Sequence, residues 1–395
     1  MTSQNKRPRR GHGEGAIYWR ESRKRWIAEL PLETGKSKYF SGKTYAEAQR
    51  KLNQAQLEHR QGKLASGPKQ SVKDFLNYWF EEVHGGSLKV STRALYRRHL
   101  RNHIIPELGQ IQLQKLKTDQ VQAFLNTMVK DGLKATTIQV IFTILNTALK
   151  DAVRWQRLTV NVCNAVTLPR VIPSEIRSLN KEEARRLLEV AKEDYLHCLL
   201  TLALATGMRL GELLALRWDE IDLENKTLQV RHTVDYIQGY GKVESEPKTT
   251  SGRRSITLPQ FAIKELERHR TYQAEARREV GNLWREQGLV ITSMTGNHLS
   301  RSRVQQTFKQ LLKKAGLPDM HFHWLRHSAA TILLSMGISP KVVQELLGHS
   351  DIRITLRIYG HVLPGMHKEA MDKMDDVFGS NEDEKKGKSS EKKNE

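Results

Sequence analysis

Five short stretches between residues 205 and 359 bring together side chains that can bind anions or move protons. They are Ala205-Thr206-Gly207-Met208-Arg209-Leu210-Gly211-Glu212-Leu213, Pro247-Lys248-Thr249-Thr250-Ser251-Gly252-Arg253, His323-Trp324-Leu325-Arg326-His327-Ser328, Leu347-Gly348-His349-Ser350 and Tyr359. A guanidinium group offers a rigid fork of donors that suits phosphate oxygens, and an imidazole exchanges protons near neutral pH. A histidine three residues before an arginine occurs by chance in many proteins. One such stretch is therefore weak evidence for a function, and the five must be considered together.

Each of these residues also has an ordinary structural interpretation. Arg209 and Glu212 could form a simple helix ion pair, and His349 could cap the helix that ends at Gly348. Tyr359 in isolation would be an ordinary helical aromatic residue. The histidines at 321, 323 and 327 lack a neighbouring cysteine or carboxylate at metal-ligand spacing, so we expect no metal site there.

In order, spacing and local sequence, the five stretches resemble the tyrosine recombinase (phage integrase) family. The shared pattern is T-G-x-R-x-x-E, a hairpin lysine, H-x-x-R, L-G-H and then the tyrosine. The resemblance extends over nearly the whole chain. It implies an AP2-like domain for arm DNA in residues 1–64 and a SAM-like helical core-binding domain in 65–170. The catalytic domain would occupy 171–378, and 379–395 would be a disordered tail.

The resemblance implies the chemical step. Tyr359 would attack the scissile phosphodiester to leave a 3′-phosphotyrosyl link and a free 5′-hydroxyl, and His323 would accept the tyrosine proton. Arg209 and Arg326 would bind the non-bridging oxygens as negative charge builds on the phosphorus.

Three further residues receive supporting roles from the same resemblance. Lys248 would protonate the leaving 5′-oxygen, although Lys242, Arg253 and Arg254 lie near it in the sequence and only its local context favours it. His349 would add a hydrogen bond to the phosphate, and Glu212 would orient the site. The phosphotyrosine would conserve the bond energy, so the reaction would need no ATP, metal or other cofactor. The absence of a G-x-x-x-x-G-K-[ST] phosphate-binding sequence agrees with this expectation.

Composition independently indicates a polyanionic partner. The chain has 395 residues, 65 of them Lys or Arg and 44 Asp or Glu, for a formal net charge of +21, and 38% are hydrophobic. No apolar run approaches the length of a membrane span, and the basic first residues have no apolar segment of a secretory signal behind them. The two cysteines exclude a disulfide framework. We therefore expect a cytoplasmic, nucleoid-associated protein that binds nucleic acid.

The positive charge is concentrated toward the start of the chain. Residues 1–64 have a net charge of +9 and residues 65–170 of +8, whereas 171–365 have only +6. Like charges repel within a compact domain unless something anionic binds them. We therefore expect the first two blocks to hold most of the DNA. Stretches rich in Gly, Ser and Pro at 61–68 and 168–174 mark the boundaries.

Local patterns predict an α+β multidomain protein. Short aromatic and β-branched segments before residue 42 predict a three-stranded antiparallel sheet, followed by a helix that begins at Thr44. Residues 71–165 show helical periodicity throughout and predict a bundle. The third block is mainly helical with a small antiparallel sheet, including predicted strands at 228–234 and 254–258.

Two basic surfaces are candidates for DNA contact. The small sheet could lie in a DNA groove, and the second helix of the bundle has a polar face without acidic i,i+4 partners, so phosphate contact explains it most simply. The candidate residues are Arg20, Arg23, Lys24, Arg25, Lys36 and Lys38 on the sheet, and Arg93, Arg97, Arg98 and Arg101, with His99 beside them, on the helix.

The favoured function is a site-specific integrase that acts on double-stranded DNA at core and arm attachment sites. Exchange between two duplexes implies four protomers, with an excisionase or a host DNA-bending protein as further partners, and the segment 366–378 is a candidate for docking onto a neighbour or for packing on its own domain. The alternatives are a Xer-like resolvase of the same family and a non-catalytic DNA-binding regulator. A metal-dependent nuclease would need an acidic cluster that the sequence lacks, and relaxation of DNA by the same chemistry is a conceivable side activity.

Overall fold

The structure is a computed structural model that describes most of the chain. The described residues are 15–31, 37–60, 69–172, 177–247, 252–348, 351, 371, 372, 374, 375 and 378, with the side chains of 58–60 left aside. The chain divides near residue 173 into two compact units. The predicted four-part division at residues 64, 170 and 378 is finer than this and stays a prediction.

The first unit begins with the predicted three-stranded antiparallel sheet, in the order β1-β2-β3. Its elements are β1 (Ala16–Arg20), β2 (Arg25–Pro31), β3 (Ser37–Gly42) and the helix α1 (Tyr45–Arg60). The Thr44 hydroxyl accepts a hydrogen bond from the Glu47 N–H at 3.2 Å, which confirms the predicted start of α1.

Alternation along the strands gives this sheet two different faces. Ile17, Trp26, Ala28, Leu30 and Phe40 pack with the apolar residues of α1 in a small core. Because successive strand residues point to opposite sides, the other face, here called the open face, carries polar and aromatic residues around the buried Ile27. The open face and its aromatic and charged residues are described below with the candidate DNA contacts.

Residues 69–172 form the predicted helical bundle. Its helices are α2 (Val72–Tyr78), which continues as a wider turn over Trp79–His84, α3 (Val90–His99), continued over Leu100–Ile104, α4 (Ile105–Leu108), α5 (Thr118–Lys130) and α6 (Ala135–Arg154). Their apolar stripes meet in one continuous core, as the helical spacing predicted. Within it the indole N–H of the buried Trp79 donates to the Asp151 carboxylate at 2.8 Å, so the polar atom is satisfied.

The second unit is a mixed helical and antiparallel structure. Its helices are α7 (Lys181–Val190), α8 (His197–Thr206), α9 (Leu210–Ala215), α10 (Gln260–Val280), α11 (Arg301–Lys314), α12 (Trp324–Ser335) and α13 (Pro340–Leu347), and its strands are β4 (Ile221–Asp222), β5 (Thr227–Val230), β6 (Thr233–Ile237), β7 (Gly241–Ser245) and β8 (Arg254–Thr257). Helix α8 is apolar on all sides and lies at the centre of the core. The overall class is therefore the predicted α+β.

One predicted strand is wrong in its extent. The alternating segment 228–234 forms two strands: β5 pairs with β4 and β8, whereas β6 pairs only with β7 in a separate hairpin. Leu228, Val230 and Val234 are all buried. The hydrophobic alternation therefore continues across the change of sheet at 231–232, and the sequence pattern gave no sign of the break.

The final part of the chain is described only at isolated positions. Met371, Met374 and Phe378 are helical and exposed, whereas the rest of the predicted segment 366–378 and the predicted tail 379–395 lie outside the described residues. No helix in the described parts of the chain has the length and apolar character needed to cross a membrane.

Packing of α6 in the bundle can be tested by a cavity-forming substitution. Leu145 is fully buried, whereas Val140 on the same helix is 38% exposed. Leu145→Ala is expected to lower the free energy of unfolding by about 2–5 kcal/mol, because it removes packed methyl groups and leaves a cavity. Val140→Ala should change it by less than about 0.5 kcal/mol. Urea unfolding of the full chain, followed by tryptophan fluorescence, measures both. Equal effects would contradict the packing of α6.

Candidate active site

The turn between α8 and α9 positions Arg209 in the second unit. Helix α8 ends at Gly207, which has a left-handed φ of 61°. A Cβ atom there would clash with the Leu347 side chain of α13, and the left-handed backbone itself favours glycine, so a larger residue would displace Leu347 and strain the turn. Arg209 then caps α9 and stays partly accessible, with 42% of its side chain exposed.

A single buried carboxylate fixes Arg209. Glu212 Oε1 accepts from Arg209 Nη1 at 2.8 Å, and Oε2 accepts from the Arg209 backbone N–H at 3.0 Å. Burial by itself would raise the pKa of Glu212, but the charges of Arg254 and Arg209 and the backbone hydrogen bond outweigh it and hold this pKa below its usual range. Glu212 is therefore an ionised, almost fully buried anchor. The pair is more than a surface helix contact.

Arg254 is a third member of this group, which the sequence motifs did not predict. Its guanidinium donates to Glu212 Oε2 at 3.1 Å, to the Leu346 carbonyl at 2.7 Å and to the Gly252 carbonyl at 3.1 Å. Only 7% of its side chain is exposed. The available signal was its position six residues after Lys248, where it was noted only as a neighbouring cation.

Arg326 is buried at the start of α12. Its Nη1 donates to the Gly207 carbonyl at 2.8 Å and its Nη2 to the Leu347 carbonyl at 2.7 Å. These two carbonyls end α8 and α13, where helix geometry leaves them without intrahelical partners. The H-x-x-R arginine therefore holds together the T-G-x-R turn and the end of the helix that precedes His349.

The two histidines beside Arg326 differ in exposure. His323 is exposed and His327 is buried, and their rings meet edge to face with centroids 5.2 Å apart. Partial desolvation of the imidazole and the nearby guanidiniums of Arg326 and Arg209 lower the pKa of His323. At neutral pH this favours the neutral ring, which is the form that can accept a proton.

The structure brings together four of the predicted site residues. Arg209, Glu212 and Arg326 share one network of hydrogen bonds and backbone contacts, and His323 lies within electrostatic range of all three. Lys248, His349 and Tyr359 lie outside the described residues. The described chain reaches Pro247 and resumes at Gly252 around Lys248, and it reaches Gly348, in the left-handed conformation, just before His349.

The candidate DNA-binding residues on the sheet occupy three different positions. Arg20 and Arg25 are paired neighbours on the open face, and Arg23 and Lys24 form the turn between β1 and β2. The prediction that Lys38 lies on the same face as these arginines is wrong. Lys38 pairs opposite the buried Leu30, so alternation places it with Phe40 on the side of α1. Lys36 lies outside the described residues.

The open face also carries an acidic residue. Glu29 accepts a hydrogen bond from the Tyr39 hydroxyl at 3.0 Å, and Tyr39 and Tyr18 are 58% and 39% exposed. The face is therefore aromatic and mixed in charge, with Arg20 and Arg25 at one end.

The polar face of α3 has more ion pairing than expected. Glu81, from the segment before α3, accepts hydrogen bonds from Arg93 and Arg97, each at 3.0 Å. The interpretation that this face lacks ion-pair support is therefore wrong, because the acid comes from a neighbouring element and not from the same helix. Arg98 and Arg101 are exposed as expected, whereas His99 is buried and its pKa is lowered by burial and by Arg98 and His103.

Among the described residues, one group could present metal ligands at short range. Cys198, Glu265 and His269 place ligand atoms within 4.8 Å of one another. Both Glu265 oxygens, however, accept from Arg268, and Oε2 also lies 2.9 Å from His197 Nδ1. Despite burial, hydrogen bonds from His197 and Arg268 lower the pKa of Glu265 to about 2. The Glu265 carboxylate is therefore satisfied by Arg268 and His197, and His269 Nε2 lies 2.9 Å from the Val290 carbonyl, so we assign the group a structural role.

The sequence is similar to those of known proteins of one family. Residues 177–365 match the model of the phage integrase family, and 71–129 match the N-terminal SAM-like domain of phage integrases. A "Tyrosine recombinase XerC-like" protein of Caldanaerobacter subterraneus subsp. tengcongensis is 33% identical over 366 residues, covering 88% of this chain and 94% of the relative. The chain belongs to the phage integrase family. It is a tyrosine-type site-specific DNA recombinase.

Other relatives of the recombinase are integrases. An integrase of Streptomyces ambofaciens is 29% identical over 383 residues, covering 94% of this chain and 98% of the relative. Among solved structures, the Tn1549 transposon integrase in complex with a circular intermediate DNA has a TM-score of 0.66 at 22% identity, covering 77% of this chain and 99% of that one. A lambda integrase tetramer bound to a Holliday junction has a TM-score of 0.53 at 21% identity, covering 85% and 95%. These two similarities show the shared fold.

The burial of His327 predicts a pH-dependent stability of the recombinase. Burial, together with His323 and Arg326, lowers the pKa of His327 from 6.5 to about 4. Between these values the unfolded chain binds a proton that the folded chain does not, so the stability is present above pH 6.5 and is lost as the pH falls toward 4. His327 alone should cost about 2 kcal/mol of unfolding free energy between pH 7 and pH 5.

Urea unfolding at the two pH values, for wild type and His327→Gln, measures this contribution. Other histidines with lowered pKa, such as His269 and His298, act in the same direction in both proteins. The difference between the two proteins therefore isolates His327. An identical pH dependence in the variant would contradict the assignment.

Proposed function

We propose that the recombinase is an integrase that breaks and rejoins DNA at an attachment core through a phosphotyrosyl link at Tyr359. The observation that carries the proposal is the convergence of Arg209 and Arg326 on the turn at Gly207, with His323 beside them. Two guanidiniums, each held by fixed partners, supply preorganised positive charge where negative charge develops on phosphorus. Such charge stabilises the transition state without having to reorient during the reaction.

The roles of the individual residues follow from their surroundings. Arg209 uses Nη1 to bind Glu212 and has four further N–H donors on a partly exposed guanidinium, which suits contact with a non-bridging oxygen. The lowered pKa of the exposed His323 favours the neutral imidazole that would accept the tyrosine proton. By sequence position, Lys248 would protonate the leaving oxygen and His349 would add a hydrogen bond to the phosphate.

An integrase is favoured over a resolvase because of the first block. The sheet β1–β3 with α1 forms its own small core, and residues 1–64 have a net charge of +9. We propose that this block is the AP2-like reader of arm DNA and that the bundle of 69–172 binds core DNA through Arg98, Arg101 and, with rearranged ion pairs, Arg93 and Arg97. Binding through many phosphate contacts would weaken steeply with salt.

The assembly and location are part of the same proposal. One active site cuts one strand, so exchange between two duplexes requires four protomers on the DNA, as in the lambda integrase tetramer bound to a Holliday junction. The enzyme would act in the cytoplasm, on the chromosome of a bacterial host. An excisionase or a host DNA-bending protein would set the direction of the reaction. Reversible cleavage through Tyr359 would also relax supercoiled DNA as a side activity.

The nucleophile can be tested with a nicked suicide duplex that carries the sequenced junction of the element and the chromosome. The scissile strand is labelled at its 5′ end, because a 3′-phosphotyrosyl link retains that end. The wild type is expected to form a covalent adduct with the label, and Tyr359→Phe should form none. Tyr272→Phe, with a 42% exposed tyrosine on α10, is the matched control and should behave as wild type. An adduct that persists in Tyr359→Phe would overturn the assignment of the nucleophile.

The arm-binding role can be tested on the open face of the sheet. The double substitution Arg20→Ala, Arg25→Ala should weaken binding to fragments that flank the junction by about tenfold or more and reduce the salt dependence by about two charges. Arg50→Ala, exposed on α1, is the control. Cleavage of the core duplex should stay within about twofold, because the site lies in the other unit. Equal losses of flanking binding and core cleavage would argue against a separate arm-reading module.

A further inference from the structure

Arg254 is the buried cation that the chemical step leaves without a role. Two of its hydrogen bonds reach distant segments, to Glu212 on α9 and to the Leu346 carbonyl at the end of α13. The third goes to the carbonyl of Gly252, two residues before it. With 7% of its side chain exposed, it is much less accessible than Arg209, of which 42% is exposed. It is therefore placed to organise the site and is poorly placed to touch the DNA.

The Glu212 carboxylate connects the two arginines directly. Oε1 binds Arg209 Nη1, while Oε2 binds Arg254 Nη2 and the Arg209 backbone N–H. Contacts on both oxygens fix the plane of the carboxylate. Because Arg209 meets that plane through only one of its nitrogens, the direction of its guanidinium depends on what holds Glu212 from the other side.

Charge balance gives Arg254 a second effect on Arg209. Burial lowers the pKa of Arg254, and the charge of Glu212 opposes this change. The carboxylate therefore divides its attraction between two guanidiniums. Without Arg254, the whole of its negative charge would act on Arg209 and hold that side chain back from a phosphate, because attraction is strong between partly buried charges.

We propose that Arg254 is a positioning residue for Arg209. It holds the Glu212 carboxylate from behind, fixes it to the end of α13, and keeps the Arg209 guanidinium directed toward the scissile phosphate. The inference rests on the proposed function, since it gives Arg254 a role in the same cleavage step. It also connects Gly252, just before β8, with the end of α13, because the carbonyls of Gly252 and Leu346 both accept from Arg254.

The test measures single-turnover cleavage of the 5′-labelled nicked junction duplex at saturating protein. Arg254→Gln is expected to lower the cleavage rate by about 10–100-fold, by analogy with the loss of outer-shell partners that orient metal ligands, with binding to the same duplex unchanged within about threefold. Arg254→Lys keeps the charge toward Glu212 but not the fork that also reaches Leu346, so it should recover part of the lost rate. Arg277→Gln, on α10 and 60% exposed, is the matched control.

A second substrate separates positioning from general damage to the fold. Replacing one non-bridging oxygen of the scissile phosphate by a methyl group gives a neutral methylphosphonate, which needs less of the charge that Arg209 supplies. On this substrate, the fold-decrease in cleavage rate caused by Arg254→Gln should be no more than about a third of the fold-decrease measured on the phosphate substrate. Equal losses on both substrates, with a lowered unfolding midpoint, would overturn the proposal in favour of a structural role.

A double-mutant cycle tests the route through Glu212. If Arg254 acts through this carboxylate, Glu212→Gln combined with Arg254→Gln should lose no more activity than Glu212→Gln alone. Independent, multiplicative losses would overturn that route, and unchanged cleavage in Arg254→Gln would overturn the proposal as a whole. Failure of the proposed function would look different, because wild type itself would then form no adduct at Tyr359.

Discussion

The catalytic unit depends on one buried carboxylate that lies between two guanidiniums. Glu212 is only 2% exposed at its side chain, and it can remain ionised there because Arg209 and Arg254 bind its two oxygens. Removing either partner of a buried ion pair leaves an uncompensated charge and is strongly destabilising. The network therefore fixes a turn, a strand and a helix end together. Arg326 repeats the arrangement with backbone carbonyls, at Gly207 and Leu347.

Positive charge has two different uses in this molecule. The first 170 residues contain 17 of the 21 net positive charges, spread over the surfaces that we propose to bind arm and core DNA. In the catalytic unit the net positive charge is small, and what each arginine contributes depends on its position, because each arginine of the site has fixed partners. The total charge by itself indicates a polyanionic partner. We propose that cleavage depends on where Arg209 and Arg326 are held.

Much of this account could be predicted from the sequence, and the failures share one cause. Motif order predicted Arg209, Glu212 and Arg326, because their spacing reflects local turns and helix starts. Arg254 was missed because its partners Glu212 and Leu346 are 42 and 92 residues away. The sequence pattern did not predict two further features for the same reason. They are the pairing of the α3 arginines with an acid on another element and the change of sheet at 231–232. Periodicity reports local structure, whereas these features arise only when distant segments pack.

If Tyr359 forms the covalent link to DNA that we propose, mass spectrometry of the trapped adduct will locate the nucleotide on this residue. Cleavage after Arg357 and Lys368 releases residues 358–368, in which Tyr359 is the only tyrosine. After nuclease digestion, we expect this peptide to carry the nucleotide, joined through its 3′-phosphate to the tyrosine oxygen. A nucleotide found on any other peptide, or one joined through its 5′-phosphate, would contradict the account.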